Sequence, residues 1–229
     1  WLCASCQTCS TRCPQGLDIT AIMEFLTREA HDRGIESPVP QVGRFNEAFL
    51  REVRIFGRAY EPGLMAEIGL RDPKSLLADR ELYIKMLRKR KVAFLPSFGR
   101  PSRKVKPVPD AAKSIAYYPG CSLHSTSKEF NDSTEAVCEA LDLQLIEPEG
   151  WVCCGSSAAH KADHEAALRL PMENLALIEQ SGFTEVTMPC AACFNRHKAA
   201  QFEIRHDDQR KEAVDQQIGY DYQDTVEVT

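Results

Sequence analysis

No apolar run of the ~18 residues that a membrane-spanning helix requires occurs in this 229-residue chain, which excludes a helical span. A mean hydropathy of -0.34 agrees with that. There is no excess of basic charge either: the formal net charge is -5 and the pI is near 5.7, which argues against a nucleic-acid partner, since such proteins present a basic surface. A Gly-rich dinucleotide fingerprint and a P-loop are both missing, so no flavin or nicotinamide is expected on this chain. An initiator Met is lacking as well, and the chain opens at Trp1 inside a motif, which predicts that residues lie upstream.

What the chain does have is cysteine. Its ten cysteines fall in two separated groups, and clustering of this kind reads as metal ligation in a reducing compartment rather than as five disulfides. A cytoplasmic protein is expected. The first group, "WLCASCQTCSTRCPQG", carries Cys3, Cys6, Cys9 and Cys13 with Pro14 after the last. Two-residue gaps let a loop wrap three thiolates round one corner of a cubane, and the three-residue gap followed by Pro is the bacterial ferredoxin pattern for [4Fe-4S]. Zinc sites usually pair two C-x-x-C units across a longer spacer. In two-cluster ferredoxins the fourth cysteine of such a run ligates the other cluster. Either Cys3, Cys6 and Cys9 hold one cubane while Cys13 reaches to another, or all four hold one.

Helical spacing follows. Ile19, Ile22, Met23 and Leu26 mark an amphipathic helix ending near Gly34, expected to pack on the cysteine loop. Phe45, Phe49, Val53 and Phe56 mark a second, and residues 75–91 a third whose basic run, Lys85 to Lys91, reads as a solvated face. Residues 96–113 contain four prolines and no periodic apolar pattern, the composition of a semi-rigid linker. This divides the chain into a helical cluster region over 1–95, a linker over 96–113 and a second domain over 114–229.

In that second domain "SIAYYPGC", "LQLIEPEGWVCCG" and "TEVTMPCAAC" read as strands, separated by helices over 127–141 and 164–182, the latter containing Pro171. A β-α-β-α-β order predicts a small parallel sheet with ligands outside the carboxyl ends of its strands. Cys121, the adjacent pair Cys153 and Cys154, and Cys190 with Cys193 all fall at those ends. Neighbouring cysteines rarely pair with each other, so the doubled thiol points to a cluster, and a fifth ligand to a distorted or opened core. The fold class is therefore α+β overall, a helical part followed by an α/β domain. Cys138, within "STEAVCEAL", reads as a buried packing thiol. His124 and His160 read as structural, while His197 and Lys198 are candidates to sit just outside the sulfurs.

The segments "YYPGCSLHSTSKEF", "WVCCGSSAAH" and "PCAACFNRHK", with their spacing, resemble the CCG domain of the B subunit of heterodisulfide reductase. "WLCASCQTCSTRCP" and "FNEAFLREVRIFGRAYEPGLM" are similar to that enzyme's C subunit. The resemblance implies a fusion of C-type and B-type parts. It implies a cubane [4Fe-4S] cluster on Cys3, Cys6, Cys9 and Cys13, and a noncubane [4Fe-4S] cluster on Cys121, Cys153, Cys154, Cys190 and Cys193. No catalytic residue beyond these ligands is expected. Electrons would come from a flavin-containing A-type subunit, and behind it a hydrogenase or formate dehydrogenase module, to cleave a small disulfide. Only one of that family's two CCG modules and one of its two cubane motifs are present, so the chain reads as a fragment. CCG modules also occur in iron-sulfur subunits resembling those of glycolate oxidase and fumarate reductase, where a flavin partner does the chemistry.

Overall fold

The computed structural model describes residues 3, 8–13, 15–37, 39–71, 80–89, 91, 92, 95–99 and 114–229. Cys6, most of the proline-rich stretch (100–113) and residues 72–79 lie outside the described residues. The first half is helical: α1 (Thr8–Thr11), α2 (Ile19–Asp32), α3 (Pro40–Phe56), α4 (Glu61–Arg71) and α5 (Arg80–Arg88). Asp18 caps α2 by accepting from the Ala21 N–H, and Gly57 ends α3 in the left-handed conformation.

The second half alternates. Strand β1 (Ser114–Tyr117) leads into short α6 (Gly120–Leu123) and α7 (Lys128–Ala140), then β2 (Gln144–Ile146), α8 (Ser156–Ala162) and α9 (His164–Gln180). Strand β3 (Glu185–Thr187), α10 (Ala191–His206), α11 (Asp208–Ile218) and β4 (Glu227–Val228) complete it. The sheet order is β2-β1-β3-β4, parallel throughout, with Ile115 opposite Leu145 and Ala116 opposite Val186. The expected β-α-β-α-β unit and its parallel sheet are observed, with β4 as a further strand. Helix α9 runs through Pro171 unbroken.

Two apolar cores result. One packs the sheet residues Ala116, Val186 and Val228 against Met172, Leu175 and Ile178 of α9 and Ile204 of α10. The other joins Leu50 and Val53 of α3 to Ala158 and Ala159 of α8 and to Ala166, Ala167 and Leu170 of α9. Burying a Leu or Val of this kind contributes about 1.5–3 kcal/mol. The seam is reinforced by an Arg54–Asp163 ion pair of 2.7 Å. At the start of the proline-rich stretch, the Gly99 N–H donates to Phe56 O (2.8 Å) and Phe98 meets the Phe56 ring edge-on.

Three sequence expectations need correction. Helix α2 does pack on the cysteine loop, but through Thr20, which meets Ser10 and Cys9; Thr20 and Thr27 are buried while Ile22 and Leu26 stand about half exposed. A hydroxyl can accept from the Ser10 hydroxyl and meet the Cys9 sulfur where an apolar side chain cannot. Helix α3 buries Leu50 and Val53 and leaves Phe45 exposed, a face rotated from the predicted one. Cys138 is half-buried on α7, a helix with no buried residue, so it is no core thiol. Of the basic run, Lys91 is half-buried and pairs with Glu129 of α7 (2.9 Å).

Gly57 joins the two halves. Its φ is +75°, and a Cβ there would lie 1.8 Å from Gly99 O. Gly57→Ala is expected to cost at least about 1–3 kcal/mol from left-handed backbone strain, with the clash in addition. Gly43→Ala, inside α3 with open space around it, is expected to stabilise by about 0.5–1 kcal/mol. Urea unfolding of the two variants checks both signs.

Candidate cysteine-cluster site

The five carboxy-terminal cysteines follow the carboxyl ends of three adjacent strands, where each chain turns from strand to helix. Cys121 lies on α6 after the Pro119-Gly120 turn, Cys153 and Cys154 precede α8, and Cys190 is the residue before α10, with Cys193 in its first turn. Adjacent side chains on an extended segment point to opposite sides. Cys153 accordingly enters the core shared with α3 and α8, Cys154 and Cys193 enter the core over the sheet, and Cys121 packs against both.

The Cys154 and Cys193 sulfurs are 3.5 Å apart. Cys153 hydrogen-bonds to Cys121 and Cys154, Cys193 to Cys154 and Cys190, and Ser122 Oγ donates to Cys190 Sγ (3.5 Å). The order of contact is thus Cys121, Cys153, Cys154, Cys193, Cys190. Gly120 is required in this string: its φ is +67° and a Cβ would sit 2.6 Å from Cys193 Sγ. Among the described residues, no three Cys, His, Asp or Glu side chains surround one point closely enough to hold a single ion; the sulfurs are joined pairwise instead.

From Cys153 to Cys190 the thiol pKa values are shifted alternately up and down. Hydrogen bonds to Cys121 and Cys154, with burial, push Cys153 well up, and those to Cys154 and Cys190 do the same to Cys193. Cys154 is held well below the usual thiol range by hydrogen bonds from Cys153 and Cys193, helped by the Ser156 N–H. Cys190 falls to about 5, first through Cys193, then Ser122 and the N–H groups of Cys193 and Ala192 at the start of α10.

Tight support surrounds the adjacent pair. Asn174, 1% exposed, accepts from the Val152 N–H (2.8 Å) and donates to Val152 O (3.0 Å). Tyr118 Oη donates to the same carbonyl (2.6 Å), the Cys153 N–H donates to Gly57 O (2.7 Å), and Arg58 Nε donates to Trp151 O (3.0 Å). The Arg58 guanidinium also lies 3.7 Å over the Trp151 ring. His197 is fully buried; its Nδ1–H donates to Cys193 O (2.7 Å) while Nε2 faces Asn174 Nδ2 (3.3 Å), and burial holds its pKa below the ordinary value. This matches the expected place just outside the sulfurs.

His124 donates to Glu147 (3.1 Å), which also accepts from Trp151 Nε1. Burial alone would raise the Glu147 pKa, but these hydrogen bonds hold it below the usual value. Beside them Cys121, Arg58, Tyr60, Ser125 and Trp151 line a cavity of about 50 Å³. Lys198 lies near the Phe194 ring (5.9 Å). His160 points elsewhere, into a polar cavity against α2. Sequence reasoning missed Gly120, Asn174, Arg58 and Tyr118. Only Gly120, in a Pro-Gly turn before a cysteine, carried a local signal.

In the amino-terminal group Cys3 and Cys13 are half-buried and Cys9 is exposed on α1, its sulfur 3.6 Å from Thr20 Oγ1. Cys3 lies close enough to Lys161 of α8 for their charges to interact.

Soft thiolates that are already anionic suit a thiophilic metal group. For the metal-free, reduced chain, alkylation of Cys190 by iodoacetamide should follow a pH profile with its midpoint near 5, against about 8.5 for an ordinary thiol. The lowered pKa leaves the thiolate present above that midpoint and removes it below. Peptide mass spectrometry of quenched samples reads it, and a midpoint above 8 would contradict the environment described.

Residues 115–196 match the family described as CCG, cysteine-rich domain. The chain is 36% identical over 120 residues to an 8-methylmenaquinol:fumarate reductase membrane anchor subunit of Wolinella succinogenes, covering 51% of this chain and 41% of that one. It is 23% identical over 201 residues to the D-type polypeptide of a dihydromethanophenazine:CoB-CoM heterodisulfide reductase of Methanosarcina acetivorans, covering 86% and 40%. The chain thus spans about 40% of the length of these relatives. Among solved structures, a hypothetical protein from Helicobacter pylori shares the fold at 15% identity with a TM-score of 0.50, over 63% of this chain and 28% of that one. Residues 115–196 therefore belong to the cysteine-rich CCG family, within a chain similar over most of its length to a heterodisulfide reductase component.

Proposed function

We propose that the chain is an iron-sulfur redox subunit of a multi-subunit oxidoreductase. Cys121, Cys153, Cys154, Cys190 and Cys193 hold a noncubane [4Fe-4S] cluster, and Cys3, Cys6, Cys9 and Cys13 hold a cubane [4Fe-4S] cluster. The observation that carries this reading is the five-sulfur string at the carboxyl ends of β2, β1 and β3, with the Gly120 hydrogen facing Cys193. When bound, such clusters supply one-electron transfer and, at an opened core, an iron that binds sulfur.

The protein's own groups support that chemistry in definite ways. Asn174, Tyr118 and Gly57 fix the backbone of the doubled cysteine, so the two sulfurs cannot drift apart. His197 stays neutral and spends its Nδ1 proton on Cys193 O, so it orients the helix start and does not shuttle protons. Cys121, the half-buried end of the string, borders the small cavity where Arg58 stands; a small disulfide approaching there meets the guanidinium cation as its sulfur gains negative charge.

The Methanosarcina relative's name supports disulfide reduction. A flavin-containing A-type subunit as the electron source is part of the proposal and rests on the sequence resemblance alone. The Wolinella relative's name favours a second reading, a component of a fumarate reductase; in that reading the chain transfers electrons and a flavin partner does the chemistry. Among the described residues no helix is long and apolar enough to cross a membrane.

Anaerobically prepared protein is expected to contain iron and sulfide. Cys153→Ala should abolish the low-temperature magnetic resonance signal of the carboxy-terminal cluster, whereas Cys138→Ala should retain it and change stability by roughly 1 kcal/mol or less. Loss on Cys138→Ala with retention on Cys153→Ala would sink the assignment. Dithionite-reduced chain should be reoxidised by a small disulfide on the first reading. On the second it holds its electrons until a flavoprotein acceptor is added.

A further inference from the structure

Among the described residues, the buried side-chain polar atoms that have no hydrogen-bond partner are Glu24 Oε1, Arg28 Nε, His160 Nδ1, His164 Nδ1, Arg196 Nη1 and Glu203 Oε1. All six residues line one cavity of about 460 Å³ between α2, α8, the start of α9, α10 and α11. Glu24 Oε1 and Glu203 Oε1 still face arginines, Arg196 and Arg210, but the four nitrogens have no hydrogen-bond partner; folded proteins leave few such buried atoms, so four in one place call for an occupant.

The unmet groups are chiefly donors. Arginine cannot accept a hydrogen bond, so Arg210, whose Nη1 lies 2.9 Å from His164 Nε2, makes that nitrogen the acceptor and puts the His164 proton on Nδ1. Arg28 Nε–H, Arg196 Nη1–H and His164 Nδ1–H are then three N–H groups without an acceptor. The carboxylates are already answered: Glu24 lies 3.5 Å from Arg196 Nη2, Glu203 contacts Arg210, and Asp18 and Asp207 cap α2 and α11. Arg196 is only 4% exposed, a cation built into the wall rather than a surface side chain folded inwards.

We infer that this cavity binds a small molecule through an oxyanion, a carboxylate or a phosphate group, with Arg28, Arg196 and His164 as its donors. The field inside agrees. Burial, then Arg196 and Arg28, bring the His160 pKa down to about 3, and burial with Arg28 and Arg210 lowers that of His164. An anion is what such a field stabilises. The cavity is separate from the sulfur string, although Arg196 follows Cys193 by one turn of α10. Its donors are the same whichever clusters the cysteines hold.

The test is calorimetric titration of the full chain, prepared anaerobically in Tris chloride free of oxyanions, with inorganic phosphate in one arm and malonate in the other. Saturable binding at one site per chain is expected in at least one arm, and the tighter arm identifies the group. Arg28→Gln should weaken it at least tenfold and His164→Gln, at the half-exposed rim, at least threefold. Lys85→Gln, on exposed α5, should leave it unchanged. Circular dichroism confirms that each variant is folded; if Arg28→Gln is not, His164→Gln decides. Absence of saturable binding in both arms overturns the inference. So does unchanged affinity in the folded cavity variants, or a loss with Lys85→Gln equal to theirs.

Discussion

The Asn174 amide, clamped on both polar groups of Val152, is the contact on which the site depends. Residues 151–154 must run through the protein interior to send Cys153 and Cys154 into different cores, so their backbone leaves water without a ladder to join. Unpaired, each buried group would cost about 1–3 kcal/mol. Asn174 meets two of them, Tyr118 reinforces one, and the end of α3 supplies Gly57 O and Arg58. The helical first half is thus part of the wall that holds the doubled cysteine, and the apolar contacts of Leu50 and Val53 keep it there.

From that fixed loop the electrostatics follow. Sulfur anions are stabilised where helices begin, at Cys190 before α10 and Cys154 before α8. His197, sealed from solvent and committed to Cys193 O, remains neutral. One turn of α10 therefore serves three purposes: Cys193 joins the sulfur string, His197 buttresses it, and Arg196 faces the polar cavity on the other side.

Much of the site is legible in local pattern. The spacing of Cys121, Cys153, Cys154, Cys190 and Cys193 places them at strand ends, because short β-branched runs before Gly and Pro mark where a parallel strand turns. Helix existence is equally legible; helix orientation is not. In α2 periodicity makes the apolar residues the packing face, yet a neighbouring polar loop favours Thr20, whose hydroxyl can satisfy it. Cys138 reads as a core thiol from its apolar neighbours, whereas α7 lies on the surface.

By itself the sequence determined the cysteine set, the order of strands and helices and the parallel sheet, all of which rest on local periodicity and turn chemistry. Tertiary structure alone decided which sulfurs touch, because residues 121, 153 and 190 become neighbours only through the β2-β1-β3 pairing. It also decided the roles of Asn174, Arg58 and Gly57, and it gathered Arg28, His164 and Arg196 from three helices around one cavity. Contacts between residues tens of positions apart or more leave no trace in local pattern; they appear when burial forces each polar group to find a partner.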